Sequence, residues 1–138
     1  MNLAKGKKYE ITLLLNCFTG LLFLPQQYWF DYLPESIISR SEWGLKPEHI
    51  SFIRHGEKKN IKNISRHLHN AISHYNFKAF ENSRNEISSI KFTDYKNDDK
   101  TFEAMIPINC LKKFLNKFSD ENEKIVSYTE LLCHNEYM

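Results

Sequence analysis

Four of the six histidines lie in one stretch, "FIRHGEKKNIKNISRHLHNAISHYNF", which runs from residue 52 to residue 77. They are His55, His67, His69 and His74. Histidine has an ordinary pKa near ~6.5, so clustered histidines point to acid–base chemistry or to metal binding. Each half of the stretch suggests a different active site, and at most one of these two alternatives is correct.

The first half, Arg54 to Glu57, reads Arg-His-Gly-Glu and resembles the signature of the histidine phosphatases. That resemblance implies a buried strand over residues 50–53, a phosphorylated His55 and an Arg54 that binds phosphate. However, more than fifty residues precede the motif, no alternation of strands and helices follows it, and the chain has only four glycines for backbone turns around a phosphate. We therefore expect Arg54 and His55 to lie in an exposed turn.

The spacing of the histidines and cysteines argues against a metal site. His67 and His74 are seven residues apart, which is roughly 10 Å along a helix at ~1.5 Å per residue and too far for one ion. Helix histidines that share a zinc ion are typically four residues apart. Cys17, Cys110 and Cys133 form no Cys-x-x-Cys pair, so we expect free thiols, no metal and no cofactor.

The second half of the stretch has the apolar period of an amphipathic helix, which we predict over residues 59–77. Its core face carries Ile61, Ile64, Leu68, Ala71, Ile72 and Tyr75. The rest of its surface carries Arg66, His67, His69, Asn70, Ser73 and His74. The histidines would therefore lie on the polar side of the helix.

The remaining elements complete a predicted helical bundle. Residues 10–24 are almost wholly apolar and predict a buried helix that ends at Pro25. Two extended runs, residues 86–95 and 100–108, predict a short β-hairpin. Asn109 caps a predicted last regular helix, whose apolar side is Leu111, Phe114, Leu115 and Phe118, and a further helix or a tail follows. The expected fold is mainly α: an up-and-down bundle with a short β-hairpin before the last regular helix.

Composition predicts one cytoplasmic domain over residues 1–138. The chain is 41% hydrophobic and 14% aromatic, which excludes disorder and suffices for a single core. The net charge of +2 is too small to indicate a nucleic-acid partner by itself. The N-terminal apolar run imitates a secretory signal, but Glu10 and Asn16 interrupt it, and spanning a bilayer takes ~20 apolar residues. We expect no membrane association.

The run Asn70, Ala71, Ile72, Ser73 and His74, followed by the predicted hairpin and closing helix, resembles the HEPN (higher eukaryotes and prokaryotes nucleotide-binding) superfamily in its plasmid and phage branch. That family's motif is an arginine, usually followed by Asn, His or Asp, and then a histidine near the end of a long helix. The resemblance implies a homodimer that joins two motifs over an RNA phosphate. It also implies a metal-independent endoribonuclease from a toxin–antitoxin or defence locus, with an antitoxin or nucleotidyltransferase as a partner.

One position departs from the family motif, since this chain has His69 where the family has arginine. In the family, the histidine, here His74, acts as general base or acid, and the arginine stabilises the phosphorane charge. His69 would carry a charge only when protonated, so Arg66, one turn earlier, is the alternative source of positive charge.

The motif residues His74, His69, Asn70 and Arg66 are thus the catalytic candidates, and His67, Ser73 and Lys62 are candidates for contact with nucleic acid. The rival hypothesis is a catalytically degenerate HEPN dimer that binds RNA, a nucleotide or a protein. His69 in place of arginine favours that rival.

Overall fold

The computed structural model describes residues 33–118 and residue 120, except residue 41. Within this part of the chain, helix α1 precedes most of a four-stranded antiparallel sheet, and helix α2 follows the sheet. The elements are β1 (Ile50–Ile53), α1 (Ile61–Ser73), β2 (Phe77–Glu81), β3 (Ile87–Lys96), β4 (Asp99–Pro107) and α2 (residues 108–118), with short 3-10 helices at Ile38–Arg40 and Pro47–His49.

The prediction of a mainly α bundle is wrong. The strands pair in the order β1-β4-β3-β2, so the described chain is an α+β structure in which the hairpin is the centre of a full sheet. The predicted hairpin position is correct, but its arms are ten and nine residues long. Two short strands extend the hairpin at its edges, and neither is long enough to show a clear alternation in the sequence.

The central hairpin turns within two residues. Lys96 pairs with Asp99, and the two residues between them, Asn97 and Asp98, have φ of 52° and 68°. Two consecutive left-handed residues are the geometry of a type I′ turn, whose twist matches that of the flanking strands. Asn and Asp adopt this conformation more readily than most residues, so the "KNDD" sequence sets the register of β3 against β4.

The sheet has one apolar face and one polar face. The apolar face carries Ile90, Phe92, Phe102, Ala104 and Ile106, all fully buried. These side chains form one core with the apolar faces of α1 and α2. Burying each large apolar side chain contributes about 1.5–3 kcal/mol, so this layer is the main source of stability in the described fold. The opposite face of the sheet is solvated.

Helix α1 begins at Ile61, two residues after its predicted start. The side chain of Asn60 caps its N-terminus by accepting a hydrogen bond from the Asn63 amide at 2.8 Å. Five of the predicted core residues are buried, namely Ile61, Ile64, Leu68, Ala71 and Ile72. The predicted core role of Tyr75 is wrong, because the helix ends at Ser73 and the Tyr75 side chain is 84% exposed.

Helix α2 has the predicted apolar side, but its start differs from the prediction. It begins at residue 108, and its predicted apolar side is buried, with Leu111, Phe114, Leu115 and Phe118 all in the core. The predicted capping role of Asn109 is wrong, because Asn109 lies in the first turn of α2 and not before it. The predicted N-terminal helix of residues 10–24 and any element within residues 121–138 lie outside the described residues, as do Cys17 and Cys133. None of the helices in the described range has the length and apolar character needed to cross a membrane.

Candidate functional site

His67 lies in the interior, bound by two carboxylates. Its Nδ1 is 2.8 Å from Asp94 Oδ2, and its Nε2 is 2.6 Å from Glu57 Oε2. The ring stacks on Phe102 with centroids 4.8 Å apart and planes 2° apart. The residue is only 4% exposed. The structure therefore places His67 inside the protein and not on the solvated face of α1.

Both carboxylates that bind His67 are ionised at neutral pH. Burial opposes the ionisation of Glu57 and Asp94, but hydrogen bonds from His67 to each, from Arg54 to Glu57 and from Asn70 to Asp94 outweigh burial and hold both pKa values below their usual range. Each ring nitrogen of His67 contacts one of the two carboxylates, so both sides of the ring are bound. His67 thus joins the two carboxylates in a compact buried cluster, which is a structural role.

The Arg-His-Gly-Glu motif supplies one side of this cluster. A turn joins the Glu57 amide to the Arg54 carbonyl at 3.2 Å, and Gly56 within it has φ of 90°. A left-handed residue at this place in a turn is most easily glycine. The turn brings Glu57 to His67, and the Arg54 side chain donates from Nε to Glu57.

These contacts do not favour the phosphatase alternative. Arg54 is paired with Glu57, whereas that alternative needs Arg54 to bind phosphate. The strand before the motif, β1, is an antiparallel edge strand with Ser51 and Phe52 exposed, whereas the alternative needs a buried strand. His55 lies exposed in the turn, as predicted.

Hydrogen bonds extend the cluster along α1. The Asn70 side-chain nitrogen donates to Asp94 Oδ2 at 3.3 Å, and Asn70 Oδ1 lies 3.4 Å from His69 Nδ1. His69 Nε2 in turn lies 3.4 Å from Ser73 Oγ. We call this series the polar chain, and its members are Arg54, Glu57, His67, Asp94, Asn70, His69 and Ser73.

His69, at the position where the resemblance expects an arginine, lies buried within the polar chain. It is 6% exposed. Burial lowers its pKa, the hydrogen bond with Asn70 partly offsets this, and the nearby His74 lowers the pKa further. A group whose ordinary pKa is ~6.5 and whose folded value is lower is mostly neutral at pH 7.

The structure brings together four of the seven predicted site residues, and these are His67, Asn70, His69 and Ser73 in the polar chain. His74 follows α1 as its C-terminal capping residue, with an exposed side chain and an amide that donates to the Asn70 carbonyl at 3.0 Å. Arg66 is exposed on the same helix. Lys62 lies near the other end of α1, where its Nζ is 3.8 Å from Glu35 Oε1.

Sequence reasoning missed Glu57 and Asp94, the two carboxylates of the cluster. A signal for Asp94 was present, because it follows Ile90 and Phe92 at a spacing of two and so falls on the apolar face of β3. A carboxylate on the buried face of a strand requires a partner. Among residues 33–118, no group of three His, Cys, Asp or Glu side chains has the arrangement of a metal site.

Comparison with protein families finds a relationship that covers most of the chain. A family model described as HEPN pEK499 p136 matches residues 1–128, a range that includes α1, all four strands and α2. No curated protein and no solved structure matches the chain.

Proposed function

We propose a function for this chain, which belongs to the HEPN pEK499 p136 family. The resemblance around Asn70 and His74 predicted membership of the HEPN superfamily, and the match confirms it. The protein binds RNA as a homodimer, and its motif cleaves RNA weakly or not at all at neutral pH. One observation carries the second half of this proposal. The residue at the position of the motif arginine, His69, is buried and has a lowered pKa.

A neutral residue at this position removes the main electrostatic contribution to cleavage. Attack of the ribose 2′-hydroxyl on the phosphate builds up negative charge in the transition state, and a preorganised cation stabilises that charge. Neutral His69 does not supply a full positive charge. Asn70, the next motif residue, donates to Asp94, so its amide is already engaged in the polar chain.

The homodimer is proposed from the surface at the C-terminal end of α1. His74 is exposed there and Ser73 is half-buried, and Arg66 is exposed nearer the middle of the helix, so this side of α1 is polar and open to solvent. A dimer that joins two such ends would form one cleft with two motifs facing the same RNA strand. Light scattering at tens of micromolar should show a dimer, and a monomer at that concentration would contradict this part of the proposal.

A metal-independent endoribonuclease is the second candidate, favoured by the exposure of His74 and Arg66. His74 would act as general acid or base and Arg66 would supply the charge. The two residues are eight apart, or about 12 Å along the helix. One phosphate would therefore contact both more easily if each protomer contributed one of them.

The test compares RNA binding and EDTA-resistant RNA cleavage for three proteins: wild type, His69→Arg, and His69→Arg with His74→Ala. The proposal expects wild type to bind RNA with little cleavage at pH 7.5. His69→Arg should gain cleavage, and the added His74→Ala should remove about 10²- to 10⁴-fold of that gain. Strong EDTA-resistant cleavage by wild type at pH 7.5 would favour the second candidate. A wild type that neither binds nor cuts RNA would overturn both.

The biological context that we propose is a toxin–antitoxin or defence locus in the cytoplasm, with an antitoxin or nucleotidyltransferase partner. Only family membership supports this context. A neighbouring gene whose product copurifies with this chain would support it, and an isolated gene would count against it.

A further inference from the structure

A second surface, on the solvated face of the sheet, adjoins the end of α1. It is a shallow cavity of about 230 Å³ lined by Tyr75, Asn76, Phe77, Lys78, Lys91, Thr93 and Tyr95. We propose that this cavity, here called the tyrosine pocket, binds a base of single-stranded RNA by stacking on Tyr75 and Tyr95, with Lys78 and Lys91 contacting the adjoining phosphates. The inference rests on the proposed RNA-binding function and names the place where the strand lies.

Tyr75 has an unusual backbone for its residue type. Its amide donates to the Ile72 carbonyl at 3.1 Å, and the next amide, of Asn76, donates to the Ala71 carbonyl at 2.7 Å. This pair of bonds is the Schellman motif, in which the residue at Tyr75 adopts a left-handed conformation and is usually glycine. Tyr75 has φ of 58° and is 84% exposed. A bulky aromatic residue is thus held in a strained conformation where its ring gains little from burial.

Tyr95 is placed by the alternation of β3. Asp94 points to the interior and bonds His67, so its neighbours Thr93 and Tyr95 face the opposite side, where Tyr95 is 49% exposed. The Thr93 amide donates to the Asn76 carbonyl at 2.9 Å. This bond ties the wall of the tyrosine pocket to the segment that leaves α1, directly after His74.

The charges of the tyrosine pocket favour a polyanion. Two lysines and no carboxylate line it. The Nζ of Lys91 is 3.1 Å from Oε1 of Glu103, a residue outside the lining. The Nζ of Lys78 lies 5.3 Å from the centre of the Phe80 ring. Both lysines are near the surface, where a phosphate can contact them without the cost of burying either charge.

The size and chemistry of the pocket select one nucleotide base of a longer strand. Pockets for whole drug-sized ligands have volumes of ~300–1,000 Å³, so 230 Å³ suits one flat ring system better than a complete small molecule. Exposed aromatic rings beside lysines bind single strands because every base has a face that stacks. A base held at Tyr75 would place its phosphate beside His74, the exposed histidine of the motif.

The decisive experiment measures the affinity of the full chain for a fluorescein-labelled 12-nucleotide polyuridine by anisotropy. Tyr75→Gly and Tyr95→Thr should each weaken binding about 5- to 100-fold, as expected for loss of one stacked base. The matched control is Phe52→Thr, because Phe52 is a 42% exposed aromatic residue on edge strand β1, away from the pocket. It should leave the affinity unchanged.

Folding does not confound this test, because glycine at position 75 relieves the backbone strain. Tyr75→Gly should therefore raise the melting temperature while it weakens RNA binding. Crosslinking with a 4-thiouridine oligonucleotide should label the peptide that contains Tyr75 or Tyr95.

The outcomes separate the two proposals. Equal affinity of both tyrosine variants and wild type, or crosslinks confined to other peptides, would overturn the tyrosine pocket and leave RNA binding intact. A wild type that binds no RNA would overturn the RNA-binding function, and the tyrosine pocket with it.

Discussion

His67 and His74 lie seven residues apart at the same helix and have opposite environments. His67 is 4% exposed, stacks on Phe102 and contacts two carboxylates. His74 is exposed and follows the last residue of α1. Both are candidates by residue type, but only His74 can reach a ligand without rearrangement of the core. Residue type alone did not distinguish a histidine that stabilises the fold from one that is available for chemistry.

The difference arises from what each histidine faces. His67 meets β3 and the turn after β1, which provide Asp94 and Glu57. His74 lies where the chain leaves the helix, beside the strained Tyr75. The polar chain therefore joins the β1 turn to the motif helix through hydrogen bonds, whereas the surface beyond it stays open for ligands.

Replacement of His67 should have the largest effect on stability. His67→Leu leaves the buried Asp94 carboxylate without its main partner, and removing one member of a buried ion pair costs about 3–5 kcal/mol. Denaturant unfolding monitored by circular dichroism would measure this loss. The matched variant His74→Leu, exposed at the same helix, should change the unfolding free energy by less than about 0.5 kcal/mol.

A double variant sharpens this result. Adding Asp94→Leu to His67→Leu removes the unpaired charge and should recover part of the lost stability. If His67→Leu and His74→Leu lowered the unfolding free energy by equally small amounts, the contrast between the buried His67 and the exposed His74 would be wrong.

The turn that holds Glu57 should show an intermediate effect. Gly56 has φ of 90°, and the space that an alanine Cβ would occupy there is open, with no neighbouring heavy atom within 4 Å. Gly56→Ala therefore adds backbone strain without a clash. The expected cost is about 1–2 kcal/mol, measured by thermal or denaturant unfolding. Gly56→Asn should cost less, because Asn adopts a positive φ more readily than Ala. Equal stability of wild type and Gly56→Ala would show that the turn does not hold Glu57 in place.

Stability should fall in two stages on acidification. The folded state lowers the pKa of His69, so the unfolded chain binds more protons and stability declines as pH falls below the ordinary value of ~6.5. The folded state also lowers the pKa of Glu57 and Asp94. Their contribution to the unfolding free energy is therefore present above pH ~4, and it is lost as the pH falls through their pKa values in the folded state.

His69→Gln separates these stages. In this variant the unfolding free energy should change less between pH 7.5 and pH 5.5 than in wild type, while the decrease at lower pH should remain. Denaturant unfolding at each pH measures both. An unchanged slope between pH 7.5 and pH 5.5 would mean that His69 is not buried in its neutral form.

The sequence alone determined the elements that short runs of neighbouring residues identify. The apolar period of α1 identified Ile61, Ile64 and Leu68 as core residues, and all three are fully buried. The turn sequence around Asn97 located the hairpin, and the "HNAIS" run at the end of α1 indicated the family. Each of these signals depends on residues within a few positions of one another, so periodicity and turn chemistry suffice to detect them.

The sheet and the environments of the histidines were decided by the tertiary structure. Edge strands β1 and β2 have only four and five residues, and their pairing depends on partners far along the chain. His67 and His69 look like surface residues on a helical projection, yet His67 is buried because Asp94, twenty-seven residues away, meets its ring. A buried polar side chain is stable only where such a partner exists, and the fold alone brings the two together.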